Sequence, residues 1–208
     1  MATYSSQSPR VAQRRAAVRE EALSHAVDLM TEEGVGALSI SEVARRMGIR
    51  GPSLYKYFPS RFAMYDALFA RGLAAEADAV RSAAEEAPPG VDRLRAGGAA
   101  LVRWAVEHPA LAQLLHWRPV PGFEPSQETF ARSKEDYLEA RRAFDDAVRL
   151  GDLRADAGSD EAMRLWTVIL SGLITQQLAN EPGATFAQGR FTQLTDAAIE
   201  LFLSTYRP

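Results

Sequence analysis

Few residues in this chain have the types and spacing that chemistry requires. The histidines are His25, His108 and His116. His108 and His116 stand eight apart across Pro109, a spacing that does not bring two imidazoles together as metal ligands. The carboxylate pairs Glu85-Glu86, Asp145-Asp146 and Asp160-Glu161 are adjacent in sequence, so on a helix they diverge and suit solvated faces. Cysteine is absent, which removes thiolate ligands, a cysteine nucleophile and disulfides. Neither a Gly-x-Ser-x-Gly elbow nor a phosphate-cradling glycine loop occurs. No catalytic residue, cofactor or metal is therefore expected. The stretch Val43 to Phe58, VARRMGIRGPSLYKYF, has a different chemistry. Arginine can make a bidentate contact with guanine O6 and N7, lysine can donate to the same edge, and proline or a serine Cβ can press on a thymine methyl.

Charge distribution supports a local role for that stretch. The 208 residues carry a formal net charge of -3, with 47% hydrophobic and 25% charged residues, an ordinary globular composition large enough to bury a core. Residues 1–61 hold nine basic and six acidic side chains, whereas residues 62–208 hold fifteen and twenty-one. A small basic front thus precedes an acidic body. Overall acidity argues against indiscriminate coating of nucleic acid, but a local basic face can still supply phosphate contacts. The N-terminus MATYSSQSPR has no apolar signal core and no stretch approaches a membrane span, so a soluble, cytoplasmic protein is expected.

The elements that must position these residues read as helices throughout. Residues 14–33 place Val18, Ala22, Ala26, Leu29 and Met30 on one face, and Gly34 is suited to end that helix. Ser39-Ile40-Ser41-Glu42 reads as a capping box that starts a second helix near Ile40, with Ile40, Val43, Ala44 and Met47 inward and Gly48 as its stop. Pro52 suits the first turn of a third helix, Pro52 to Phe58. Leu54 and Phe58, four apart, would pack inward and send Ser53, Lys56 and Tyr57 to the other side. Two short helices joined by a glycine-containing turn match a helix-turn-helix, whose second helix enters the major groove.

The run Ala37 to Leu68, ALSISEVARRMGIRGPSLYKYFPSRFAMYDAL, resembles the DNA-binding domain of the TetR family (TetR/AcrR type) of bacterial transcriptional regulators. The match lies in a Ser-initiated helix, Ala-x-x-x-Gly-Ile, a recognition helix with Leu-Tyr-x-Tyr-Phe, and a fourth helix opening at Ser60-Arg61. The resemblance implies an all-α fold: a disordered arm over residues 1–11, a three-helix DNA-binding domain over 12–72, and a helical regulatory domain over 73–208. It implies phosphate contacts from Ser39, Tyr55 and Arg61. It implies base contacts from Arg50, Gly51, Pro52, Ser53, Lys56 and Tyr57. Arg50 stands where many members have a capping serine, so Gly51 is expected to cap the third helix. Arg45 and Arg46 are expected to be solvated.

The fourth helix should run from Ser60 to about Ala87, with Phe62, Tyr65, Phe69 and Leu73 near one stripe, until Pro88-Pro89-Gly90 ends it. Further helices are expected at about 91–107, 109–116, 126–150, 159–180 and 187–205, while three prolines keep residues 117–125 irregular. The family resemblance implies a homodimer, with Leu165, Ile169, Leu173, Leu194, Ile199 and Phe202 as candidate interface residues and a palindromic DNA operator as partner. It also implies repression relieved by a small, largely apolar effector, for which Trp104, His108, Trp117, Phe130, Tyr137, Trp166, Gln176 and Gln177 are candidate lining residues. The alternative is a helical small-molecule-binding protein or enzyme in which the basic front is incidental.

Overall fold

The computed structural model describes residues 9–208, and no strand occurs among them. The helices are α1 (Pro9–Glu33), α2 (Ile40–Arg46), α3 (Gly51–Leu54), α4 (Arg61–Glu86), α5 (Val91–Glu107), α6 (Pro109–His116), α7 (Gln127–Arg149), α8 (Asp160–Asn180) and α9 (Thr195–Thr205). Short 3₁₀ turns lie at Val35–Ala37, Ala155–Gly158 and Thr192–Leu194. The bounds of α5 and α6 are those the sequence predicts, and Pro88 to Gly90 separates α4 from α5 as expected.

Three boundaries differ from expectation. Of the expected arm, residues 1–8 lie outside the described residues, and Pro9 to Val11 already belong to α1, five residues before the expected start. The third helix stops at Leu54 rather than Phe58. The last helix starts at Thr195 rather than 187, because buried side chains claim the backbone groups ahead of it. The Gln177 Oε1 accepts from the amides of Phe191 (3.2 Å) and Thr192 (3.3 Å), and the Thr192 hydroxyl donates to the carbonyls of Phe186 (2.6 Å) and Gly189 (2.9 Å). The Phe191 and Thr192 amides, held this way, do not donate to the carbonyls four residues before them, so no helical ladder forms through them.

One continuous apolar core runs through the molecule. Its front part joins Leu23, Ala26 and Met30 of α1, Val43 of α2, Leu54 of α3, Phe58 and the α4 residues Met64, Tyr65 and Leu68. The buried side of α4 is thus Met64, Tyr65, Leu68 and Gly72, displaced from the expected stripe of Phe62, Tyr65, Phe69 and Leu73. The displaced aromatics have a separate use, since the Phe123 ring lies among Phe62 (6.0 Å), Tyr65 (5.5 Å) and Phe69 (6.3 Å). The rear part is an aromatic cluster in which Phe144, Trp166 and Phe202 meet edge to face and Tyr206 leans on Phe202. Helix α6 packs on both α1 and α4, so it ties the front to the body.

Gly98 of α5 permits the closest approach in that rear cluster. A Cβ at this position would stand 2.6 Å from Trp166 Cζ2 and 3.1 Å from Ile199 Cδ1. Phe144 and Phe202 also pack edge to face on the indole, which restricts its room to yield. Overpacking of this kind costs about 1–3 kcal/mol, more than the helix-propensity gain of at most ~1 kcal/mol. Gly98→Ala should therefore lower the urea midpoint of unfolding, and an equal or raised midpoint would contradict this packing.

Candidate nucleic-acid interface

A four-residue helix cannot stabilise itself, so the geometry of the α2–α3 unit rests on its caps and its two buried anchors. The Ser39 hydroxyl accepts from the Glu42 amide at the start of α2. The reciprocal half of the expected capping box is absent, because the Glu42 carboxylate turns to Arg45 (2.7 and 2.8 Å) and Arg46 (3.2 Å). At the other end Gly48 has φ of 68°, its amide bonds the Arg45 carbonyl and the Ile49 amide bonds that of Ala44. This is the paired closure that a left-handed residue allows, and it turns the chain sharply toward α3.

Arg50, not Gly51, occupies the cap position of α3: its φ and ψ are -78° and 139°, and its carbonyl accepts from the Ser53 amide at 2.9 Å. Pro52 sits in the first turn, as expected. Leu54 and Phe58 are both buried, at 0% and 1% exposure. Between them the chain forms a turn, in which the Tyr57 and Phe58 amides both donate to the Leu54 carbonyl. That turn leaves Ser53, Tyr55 and Lys56 exposed, but Tyr57 becomes half-buried and packs against the core. Tyr57 is thus less open than the expected helix would make it, and Tyr55 more so.

Helix α1 fastens the end of this segment, a role that sequence reasoning missed. The Arg15 guanidinium donates to the Lys56 carbonyl (3.2 Å), and that of Arg19 donates to the Tyr57 carbonyl (2.6 Å) while lying 4.5 Å above the Phe58 ring. The only signal in the sequence is two arginines four apart, on the side of α1 that also carries Ala22 and Ala26.

Cations on this face fall into two groups. Arg46 is mostly buried and bonds Glu32 (2.7 Å) and Glu42, with Glu33 at 3.5 Å, so it is not solvated as expected; Arg45 is exposed but tied to Glu42. Arg50, Lys56 and Arg61 are exposed and make no ion pair among the described residues. Arg61 follows Ser60, whose hydroxyl caps α4 by accepting from the Ala63 amide at 3.0 Å. The second turn of α4 is held on two sides: the buried Tyr65 hydroxyl donates to the Val35 carbonyl (2.6 Å), and burial pushes its phenol above the usual range. Asp66 accepts from the Ser126 amide (2.7 Å).

The candidate effector residues do not converge. Trp104 is buried and stacks on His108 with centroids 5.1 Å apart, and Trp166 belongs to the rear aromatic cluster. Trp117, Phe130 and Tyr137 are instead exposed. Gln176 is exposed and bonded to Asn180, while Gln177 is fully buried as a tie for the 186–192 turn. An open cleft of about 430 Å³ is lined by Phe62, Arg118, Val120, Pro121, Phe123 and Glu124, none of them a candidate. Of the candidate interface residues, Leu165 and Leu194 are exposed and Ile169 and Leu173 partly buried. Ile199 and Phe202 are corrections: both are 1% exposed and fill the protein's own core, so neither can face a second subunit. Val168 and Leu201, at 66% and 67% exposure, are the apolar residues that the surface offers beside Leu165 and Leu194.

Residues 22–68 match the model of the bacterial regulatory proteins of the tetR family, and residues 94–202, over half the chain, match a tetracyclin repressor-like C-terminal domain. The chain belongs to the tetR family. HTH-type transcriptional regulators of Mycobacterium tuberculosis (Rv1816) and Mycobacterium bovis (Mb1846) are each 30% identical to it over 156 residues. The match covers 72% of this chain but only 65% of each relative's length. A protein of unknown function from Rhodococcus sp. RHA1 shares the fold over 100% of both chains, with 23% identity and a TM-score of 0.76. FadR of Bacillus subtilis, solved in complex with stearoyl-CoA, shares it at 16% identity and a TM-score of 0.68, over 89% of this chain and 97% of its own. The tetR-family helix-turn-helix is therefore the α2–α3 unit, with α1 and α4 as its supports.

The Glu42 carboxylate has a pKa near 2, against an ordinary 4.5, because Arg45 and Arg46 hydrogen-bond its charged form. A depressed acid stabilises the fold above its unfolded pKa and loses that contribution as pH falls through the folded value. Glu42→Gln should therefore lower the melting temperature at pH 7, and the gap from wild type should close between pH 4.5 and about 2. A gap independent of pH would mean that the carboxylate charge is not what holds the two arginines.

Proposed function

We propose that the protein is a sequence-specific DNA-binding transcriptional regulator, a homodimeric repressor that leaves a palindromic operator when a small, largely apolar molecule binds. The observation that carries this reading is the presentation of Arg50, Ser53, Lys56 and Arg61 to solvent without carboxylate partners among the described residues, beside Arg45 and Arg46, which are paired to carboxylates. Arg50, Pro52, Ser53 and Lys56 then read base edges together with Gly51 and Tyr57, while Ser39, Tyr55 and Arg61 hold phosphates. Of these, Tyr57 reaches the groove only through the exposed part of its side chain.

Dimerisation is supported by the apolar surface of α8 and α9. Leu165 and Val168 are three apart on α8, and Leu194 and Leu201 bracket the exposed side of α9; all four are open to solvent. A two-fold pairing of these helices would cover them and fix the spacing of two reading segments, hence the palindrome. The effector class draws support from Trp117, Phe130 and Tyr137, whose open apolar surface a ligand can cover, and from the stearoyl-CoA bound by the B. subtilis FadR fold relative. Such a ligand controls DNA only if it favours one separation of the reading segments over the other.

Two substitutions separate base reading from phosphate holding, on a duplex recovered by selection from a random pool. Lys56→Ala should weaken binding roughly 5- to 100-fold and relax sequence preference. Arg61→Ala should weaken selected and scrambled duplexes alike and flatten the salt dependence by about one unit of slope per subunit. Equal selectivity in both variants would overturn the division of roles, and failure of the wild type to enrich any sequence would overturn the regulator reading itself. Leu201→Glu should shift the protein from dimer to monomer in sedimentation, and a monomeric wild type at micromolar concentration would remove the dimer from the proposal.

A further inference from the structure

Charge is sorted along α1. From Pro9 to Arg19 the helix carries Arg10, Arg14, Arg15 and Arg19 and no acid; from Glu20 to Glu33 it carries five acids and neither arginine nor lysine. Residues 9–17 are all exposed, so the first nine residues, roughly 13 Å of helix at 1.5 Å per residue, extend beyond the core. The place from which this overhang departs is fixed by Arg15 and Arg19, bonded to the carbonyls of Lys56 and Tyr57. It therefore begins at the end of the reading segment. Arg10 and Arg14, four apart on one side of the helix, are exposed and have no ion pair among the described residues.

We infer that Arg10 and Arg14 form a second, sequence-independent grip on DNA, holding phosphates that flank the base pairs read by α3 and the turn after it. This rests on the DNA-binding reading above and adds a contact outside residues 22–68, the segment matched by the family's DNA-binding model. The chemistry of the overhang selects this partner. Its exposed apolar content is Val11 and the small alanines 12, 16 and 17, too little to insert into a lipid surface, so attraction to it is electrostatic. Two guanidiniums about 6 Å apart along the helix suit a strand whose phosphates recur about every 3.4 Å of duplex axis. The contact carries no sequence information and raises affinity for every duplex.

The test is the full-length Arg10→Gln/Arg14→Gln protein, since glutamine keeps helix propensity close to that of arginine. Binding to the selected duplex and to a scrambled duplex of equal length is measured across salt concentrations. Affinity for both should fall by the same factor, the slope of log K against log salt should shrink by about 1.8 per bound subunit, and the preference for the selected sequence should stay at its wild-type value. Lys134→Gln/Arg142→Gln makes the same change in net charge at exposed positions on α7 and should leave the slope unchanged. A wild-type slope in the α1 variant overturns the inference, as does an equal loss in the α7 control, which would reduce the effect to net charge. If Lys56→Ala loses selectivity while the α1 variant behaves as wild type, only the grip fails. If the wild type selects no sequence, the DNA reading fails and the grip with it.

Discussion

The burial of Leu54 and Phe58 is the constraint on which the DNA-facing half depends. Helix α3 has four residues, too few for helical cooperativity to hold it, and the chain after it is a turn. What fixes its direction is the burial of these two side chains in the same core as residues of α1, α2 and α4, each contributing about 1.5–3 kcal/mol of apolar burial. Once they are seated, the residues between them have nowhere to go but outward. Arg15 and Arg19 then lock the carbonyls at the far end of the segment, so both its entry, at Gly48, and its exit are held.

The support for that segment is also the connection to the body. Helix α4, capped by Ser60, begins at Arg61 just after the reading segment, and its 26 residues pack along α5. Its first two turns are gripped from the body side by the Phe123 ring and the Ser126 amide, and from the front by the Val35 carbonyl. The displaced aromatics of α4 make sense in this light: Phe62 and Phe69 flank the buried stripe and meet the loop between α6 and α7. Any displacement of that loop must move the first turn of α4 or break these contacts, because close-packed interiors transmit strain.

The legible parts of the sequence were those set by local rules. Ser39, Gly48, Pro52 and the Leu54–Phe58 pair specify their own neighbourhoods, and the structure follows them; the family match rests on the same residues. Non-local competition decided the rest. Glu42 could reach back to its own helix or forward to two arginines, and charge assistance favoured the arginines. Ile199 and Phe202 look no different in sequence from Leu194 and Leu201, since an all-round apolar helix does not announce which side meets its own core. The aromatics proposed for an effector separated for the same reason: Trp104 and Trp166 found core partners, whereas Phe130 and Tyr137 did not.

An acidic protein that reads a polyanion needs its charges arranged locally rather than balanced overall. At physiological salt the screening length is about 8 Å, so carboxylates close to the reading segment oppose DNA far more than distant ones do. The carboxylates that matter are those near α2 and α3, namely Glu32, Glu33 and Glu42. Arg45 and Arg46 are spent on these three, which also lowers the pKa of Glu32 and Glu42 and keeps them charged and engaged. Two arginines that look in sequence like part of the basic patch thus act as counter-ions of the carboxylates beside it. Removing the carboxylate charge that they neutralise is what leaves Arg50, Lys56 and Arg61 facing solvent as a net positive surface on a chain whose total charge is -3.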